Sequence, residues 1–141
     1  MAYLLDTPVL TALIRDPAGP LVRRIASVGE RQVAISVVIA GELRYAVEGR
    51  GSARMRTAVD VVLEGIDILP LEPGTELHYA EIRREAERNR LPLGANDLWI
   101  AAHARAGGHV LVSSNERDFR RVRGLLVENW LTDTSAPLAA K

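Results

Sequence analysis

Tyr3-Leu4-Leu5-Asp6-Thr7-Pro8-Val9-Leu10 packs five apolar residues, one acid and a helix-starting pair into eight positions. Thr7 can cap a helix, and Pro8 suits a first helical position because its missing N–H would be unpaired there anyway. The segment therefore reads as a short buried strand turning directly into a helix, with a carboxylate at the junction. The same grammar recurs along the chain. Apolar runs near Val33–Ser36, Ile66–Leu69, Val110–Ser113 and Leu125–Val127 alternate with helical patterns in a βααβααβααβ order, the run at Leu125–Val127 following as a fifth strand. That alternation predicts an α/β protein, a three-layer α/β/α domain around a mostly parallel sheet of about five strands.

The intervening pieces follow from local chemistry. Thr7–Arg15 and Leu21–Val28 are expected as helices around the break Asp16-Pro17-Ala18-Gly19-Pro20. Val38–Val47 and Arg54–Leu63 are expected to flank the turn Glu48-Gly49-Arg50-Gly51-Ser52. Pro73 fits the first turn of a long helix reaching about Arg90. Another helix runs from Asn96 to Ala106 and stops at Gly107-Gly108. One domain over 1–133 is expected, with 134–141 a frayed tail of small and polar residues.

Composition removes several chemistries. Cysteine is absent, which excludes disulfides, thiolate zinc sites and cysteine nucleophiles. Arginine supplies every basic residue but one, Lys141, so a phosphate-loop lysine, a Schiff-base lysine and the strand-end lysine of receiver-like or dehalogenase-like phosphotransfer domains are all missing. The formal net charge is zero, so a nucleic acid must be held by local arginines rather than by a global field. No apolar run approaches the roughly 20 residues of a membrane span, and the N-terminus lacks a secretory signal. A cytoplasmic protein without membrane contact is expected.

Four acids, Asp6, Glu42, Asp97 and Asp118, sit near junctions between strand-like and helical runs. In a parallel sheet the carboxyl ends of the strands share one edge, so residues there meet in one crevice. Each acid has a structural explanation by itself, as a cap or a partner of the helix dipole. Asn96, however, is a competent cap beside Asp97, which leaves Asp97 without that duty, and Glu42 lies on or beside the apolar stripe between Ile39 and Leu43. Two carboxylates about 4 Å apart repel by roughly 4 kcal/mol at an effective dielectric near 20. A hard divalent cation resolves such a conflict, and oxygen donors without histidine or thiolate match Mg²⁺ or Mn²⁺. The chemistry of such a cluster is phosphodiester hydrolysis.

These strings resemble a known family. Tyr3-Leu4-Leu5-Asp6-Thr7, Ile35-Ser36-Val37-Val38 leading to Gly41-Glu42-Leu43-Arg44-Tyr45, Asn96-Asp97-Leu98-Trp99-Ile100-Ala101-Ala102-His103-Ala104, Ser114-Asn115 with Arg117-Asp118-Phe119, and Gly124-Leu125-Leu126-Val127-Glu128-Asn129-Trp130 are similar to VapC-type toxins, the PIN-domain endoribonucleases of bacterial toxin–antitoxin pairs. The resemblance runs from about Tyr3 to Trp130. It implies a PIN-like domain in which Asp6, Glu42, Asp97 and Asp118 hold Mg²⁺ or Mn²⁺ and direct water at structured RNA, commonly tRNA or rRNA. It implies further that Thr7, Ser114 and Asn115 support the pocket. A homodimer is implied, silenced by a cognate VapB-like antitoxin whose C-terminal segment covers the acids, with DNA met only through that antitoxin. Pro8 stands where the family usually has asparagine, and Ala95 where it often has proline. A PIN scaffold that only binds its antitoxin is the alternative in a different class.

Among other residues, Arg117, Arg120, Arg121 and Arg123 flank Asp118 and are candidates for phosphate contact. The arginines and glutamates of 83–90 read as a solvated face. His78, His103 and His109 match no catalytic pattern, and His103 is expected to be packed or partly exposed. Trp99 and Trp130 are expected inside, with Tyr3 and Tyr45 in or beside core elements.

Overall fold

The computed structural model describes residues 1–49 and 52–133. The expected tail at 134–141 and the centre of the turn at Arg50-Gly51 lie outside those residues. Five strands, β1 (Tyr3–Leu5), β2 (Val33–Ser36), β3 (Asp67–Leu69), β4 (Val110–Val112) and β5 (Leu126–Glu128), form one sheet in the order β3-β2-β1-β4-β5. Every pairing is parallel. Tyr3 lies opposite both Val33 and Val110, Leu5 opposite Val112, Ser36 opposite Leu69, and Val112 opposite Glu128. Leu4, Leu5, Ala34, Ile35, Leu111 and Val112 are buried, as continuous apolar strands covered on both faces must be.

The chain steps one way from β1 through β2 to β3, then reverses towards β4 and β5. Right-handed crossovers therefore put helices α1 (Thr7–Arg15), α2 (Pro20–Val28), α3 (Val37–Glu48) and α4 (Ala53–Gly65) over one face. They put α5 (Thr75–Arg88) and α6 (Ala95–Gly107) over the other. Contacts follow suit: α1 touches α2, α3 and α4, α5 pairs with α6, and α3 reaches across to α6. The reversal occurs between β1 and β4, and the crevice beyond their carboxyl ends is where an open α/β sheet gathers chemistry.

Several local expectations are corrected. Gly74, in a left-handed conformation at φ 104°, precedes α5, so Pro73 lies outside the helix, which ends at Arg88. Gly94 rather than Asn96 caps α6, because the Leu98 amide already bonds to the Gly94 carbonyl and starts the helix a residue early. Gly108, at φ 66°, closes it. Tyr45 is 85% exposed, since the buried stripe of α3 runs through Ile39, Leu43 and Val47 and Tyr45 points about 200° away from Leu43. Trp99 is half-buried and stacks on Tyr79 at 3.9 Å. Three short elements show no periodicity in the sequence: a 3₁₀ turn at Glu30–Gln32, α7 (Glu116–Phe119) and α8 (Trp130–Asp133). Trp130 and Phe119 are wholly buried, and the Trp130 indole donates to Glu128 at 2.8 Å while its ring meets Tyr3.

Candidate functional site

Asp6 follows β1 and is itself the N-cap of α1, its Oδ1 accepting the Thr7 amide at 2.7 Å. Thr7 and Pro8 are thus the first two helical residues, and the Thr7 hydroxyl is released from capping. It donates instead to Glu42 Oε1 at 3.2 Å, linking α1 to the acid on α3. The Asp6 amide donates to the Val112 carbonyl at 2.9 Å, continuing the β1–β4 ladder to the crevice. Ser113, fully buried, donates its hydroxyl to Asp6 Oδ2 at 2.8 Å and accepts the Asn115 amide at 3.0 Å. Both oxygens of a carboxylate only 5% exposed are therefore held by neighbours.

Asp97 lies in the first turn of α6 and Asp118 in α7. Burial is the main cause that raises the Asp97 carboxyl above its ordinary range, and repulsion from Asp6, Glu42 and Asp118 adds to it. Asp6 is also raised, by burial first, against which the Ser113 and Thr7 hydrogen bonds pull, and with Glu42 adding repulsion. Acids from four segments thus share one electrostatic neighbourhood at the carboxyl edge of the sheet. Among the described residues none of the four has an ion-pair partner. Their donor chemistry, carboxylate oxygens under uncompensated repulsion, fits a hard divalent cation. The side chains are not drawn in around one point: among the described residues no three acidic or imidazole groups stand ready to hold an ion.

The supporting residues differ in part from those named from the sequence. Ser114 is exposed and Asn115 contributes its main-chain N–H, whereas Ser113 makes the contact with Asp6. The signal was in the strand register. Leu5 lies opposite Val112, so the next residue on each strand, Asp6 and Ser113, must meet.

All four candidate arginines are exposed. Arg120 is paired with Glu116 at 2.9 Å, and Arg121 donates to the Asn89 carbonyl at 3.1 Å. The Arg123 carbonyl accepts from Arg105, which lies eight residues along α6 from Asp97, or about 12 Å down the helix. The chain has by then turned back towards the start of β5, so Arg123 does not flank the crevice. Arg117 has no side-chain partner among the described residues. Each histidine is engaged at Nδ1: His78 accepts from Arg105, His109 from the Ala2 amide, and His103 meets Ser36 Oγ at 2.8 Å.

A family profile described as the PIN domain matches residues 3–125. The chain is similar to Ribonuclease VapC2 of Haemophilus influenzae, with 35% identity over 93% of this chain and 99% of that protein. The tRNA(fMet)-specific endonuclease VapC of Shigella flexneri is 33% identical over 92% of this chain and 98% of its own length. Among solved structures, VapBC2 from Rickettsia felis bound to a DNA fragment from its promoter superposes with a TM-score of 0.86 at 30% identity, covering 92% of this chain and 99% of that one. The fold, the residues at its carboxyl edge and these likenesses agree that the chain belongs to the PIN domain family, among the VapC ribonucleases.

Proposed function

We propose that this chain is a metal-dependent endoribonuclease, the toxin of a toxin–antitoxin pair, hydrolysing phosphodiester bonds in structured RNA. The observation that carries the reading is the electrostatic position of Asp97, which feels Asp6, Glu42 and Asp118 at once although they come from three other segments. In this reading Asp6, Glu42, Asp97 and Asp118 hold Mg²⁺ or Mn²⁺, with Asp6 and Asp97 the most direct ligands. The bound cation supplies Lewis acidity and lowers the pKa of a water. Ser113 and the Thr7 amide orient Asp6, Thr7 Oγ1 steadies Glu42, and the dipole at the start of α6 favours the ionised form of Asp97. Arg117 is the candidate most available for an RNA phosphate, and Arg120 becomes available once it leaves Glu116.

A VapB-like antitoxin is the proposed partner, placing a cation of its own among the acids. A homodimer, contact with DNA only through the antitoxin, and a cytoplasmic location complete the reading. Solved relatives in complexes named VapBC, some with DNA, support the partner. The name of the Shigella flexneri relative supports tRNA as one substrate class. No described helix is long and apolar enough to cross a membrane. Brief induction of the chain alone should arrest growth and create new RNA 5′-phosphate ends that Asp97→Asn abolishes. Ends unchanged by that substitution, or arrest without cleavage, would overturn the proposal.

A further inference from the structure

Asp97 and Glu42 ride on different helices, and the hydrogen-bonded link between them is buried. Ser36 ends β2 and caps α3, its Oγ accepting the Val38 amide at 3.1 Å. The same Oγ meets His103 Nδ1 at 2.8 Å, a bond joining residues 67 apart in sequence. His103 lies six residues after Asp97 on α6, and Glu42 lies six residues after Ser36 on α3. His103 is 4% exposed and Ser36 1%, so water does not compete for the bond. One serine hydroxyl has one proton and two lone pairs, so Ser36 can serve the Val38 amide and the imidazole together.

We propose that His103 is a positioning residue: its bond to Ser36 ties the helix bearing Asp97 to the cap of the helix bearing Glu42 and sets the separation of the two carboxylates. The inference rests on the ribonuclease reading for its consequence, but not for its geometry. Burial, together with the neighbouring His109, lowers the pKa of the imidazole and so favours its neutral form. Without the tie, α3 and α6 meet only through packing, and a displacement of about 1 Å is enough to cost up to a hundredfold in rate.

The test compares His103→Asn, whose amide reaches the position of Nδ1, with His103→Leu, which fills the space but cannot bond. Ser36→Ala removes the same bond from the other side should the Leu variant not fold. The Leu variant is expected to lose roughly ten- to a hundredfold in kcat on RNA with KM unchanged, and to bind Mn²⁺ more weakly, while the Asn variant stays near wild type. Combining Ser36→Ala with His103→Leu should cost no more than the worse single change. Crystal structures of the metal-free variants supply a readout independent of activity: a wider Glu42 to Asp97 separation in the Leu variant and an unchanged one in the Asn variant. Equal behaviour of the Asn and Leu variants, or losses that track melting temperature alone, overturns the proposal. A wild-type protein that neither binds Mn²⁺ nor cleaves RNA sinks the ribonuclease reading instead, and the crystal comparison still decides whether His103 positions the two acids.

Discussion

Replacing Asp6 with asparagine should make the metal-free protein more stable while removing its chemistry. Asp6 is 5% exposed and accepts two hydrogen bonds, from the Thr7 amide and the Ser113 hydroxyl. Those bonds to a charged acceptor are worth about 1.5–3 kcal/mol each, of which a neutral amide retains about half. Against them stand the desolvation of an ionised carboxylate, an effective several kcal/mol and the largest contribution, and a smaller repulsion from Glu42. The raised Asp6 carboxyl shows that the unfavourable pair wins. Asparagine caps a helix as well as aspartate does, so the gain should be about 1–3 kcal/mol, or roughly 2–10 °C in melting temperature.

The sign with pH follows from the direction of the shift. A carboxyl raised above the ordinary value of 3.8 gives its full stability below that value and loses it as pH rises through the folded value. The advantage of Asp6→Asn should therefore be present at pH 7.5 in EDTA and shrink steadily towards pH 4. Saturating Mn²⁺ should reverse the order, since a ligand at about a hundred times its Kd adds about 2.7 kcal/mol to the wild type and little to the variant. Urea unfolding of both proteins at several pH values, with and without Mn²⁺, reads all of this. A variant less stable than wild type in EDTA at pH 7.5, or a gap indifferent to pH and to Mn²⁺, would refute the reasoning.

Ser113→Ala should cost about 1–2 kcal/mol, because the Asn115 amide and Asp6 Oδ2 lose a buried partner, and should weaken Mn²⁺ binding by roughly ten- to a hundredfold in titration calorimetry. Arg117→Ala should weaken RNA binding and flatten its salt dependence by about 0.7 in the logarithmic slope, while Arg123→Ala, whose site lies beside Arg105, should change neither. Burial lowers the pKa of His103 and His109, so below the ordinary histidine value of 6.5 the unfolded chain takes up protons first. Stability should fall on acidification through that range, and replacing both histidines should flatten the fall in pH-resolved unfolding.

The three central strands were legible because strands covered on both faces must be unbroken apolar runs, as Leu4-Leu5, Ala34-Ile35 and Leu111-Val112 are, whereas the edge strands β3 and β5, partly exposed, showed only as short apolar runs between helical patterns. The acids were legible because each stands near the switch from such a run to helix-starting residues. Caps were harder to read. At Asp6-Thr7 and at Gly94-Asn96 two neighbours can each start the helix, and the choice depends on where the first backbone bond closes. The contact of Ser113 with Asp6 went unread beside Ser114 and Asn115, because neighbours along an extended chain face opposite sides and the sequence does not say which side meets Asp6. Arg123 was misplaced because sequence distance from Asp118 says nothing of the turn that carries the chain back to β5. The His103 to Ser36 bond, spanning 67 residues, left no local pattern to read.

Whether four acids share one cation is decided by anomalous scattering from crystals soaked in Mn²⁺. A peak is predicted in the crevice within about 2.0–2.3 Å of carboxylate oxygens of Asp6 and Asp97, with Glu42 and Asp118 rotated towards it or towards its waters. The same peak should be missing from Asp97→Asn crystals soaked in parallel. A crevice that stays empty at millimolar Mn²⁺, or a peak held by acids elsewhere, would contradict a carboxylate-held metal and the hydrolysis proposed from it.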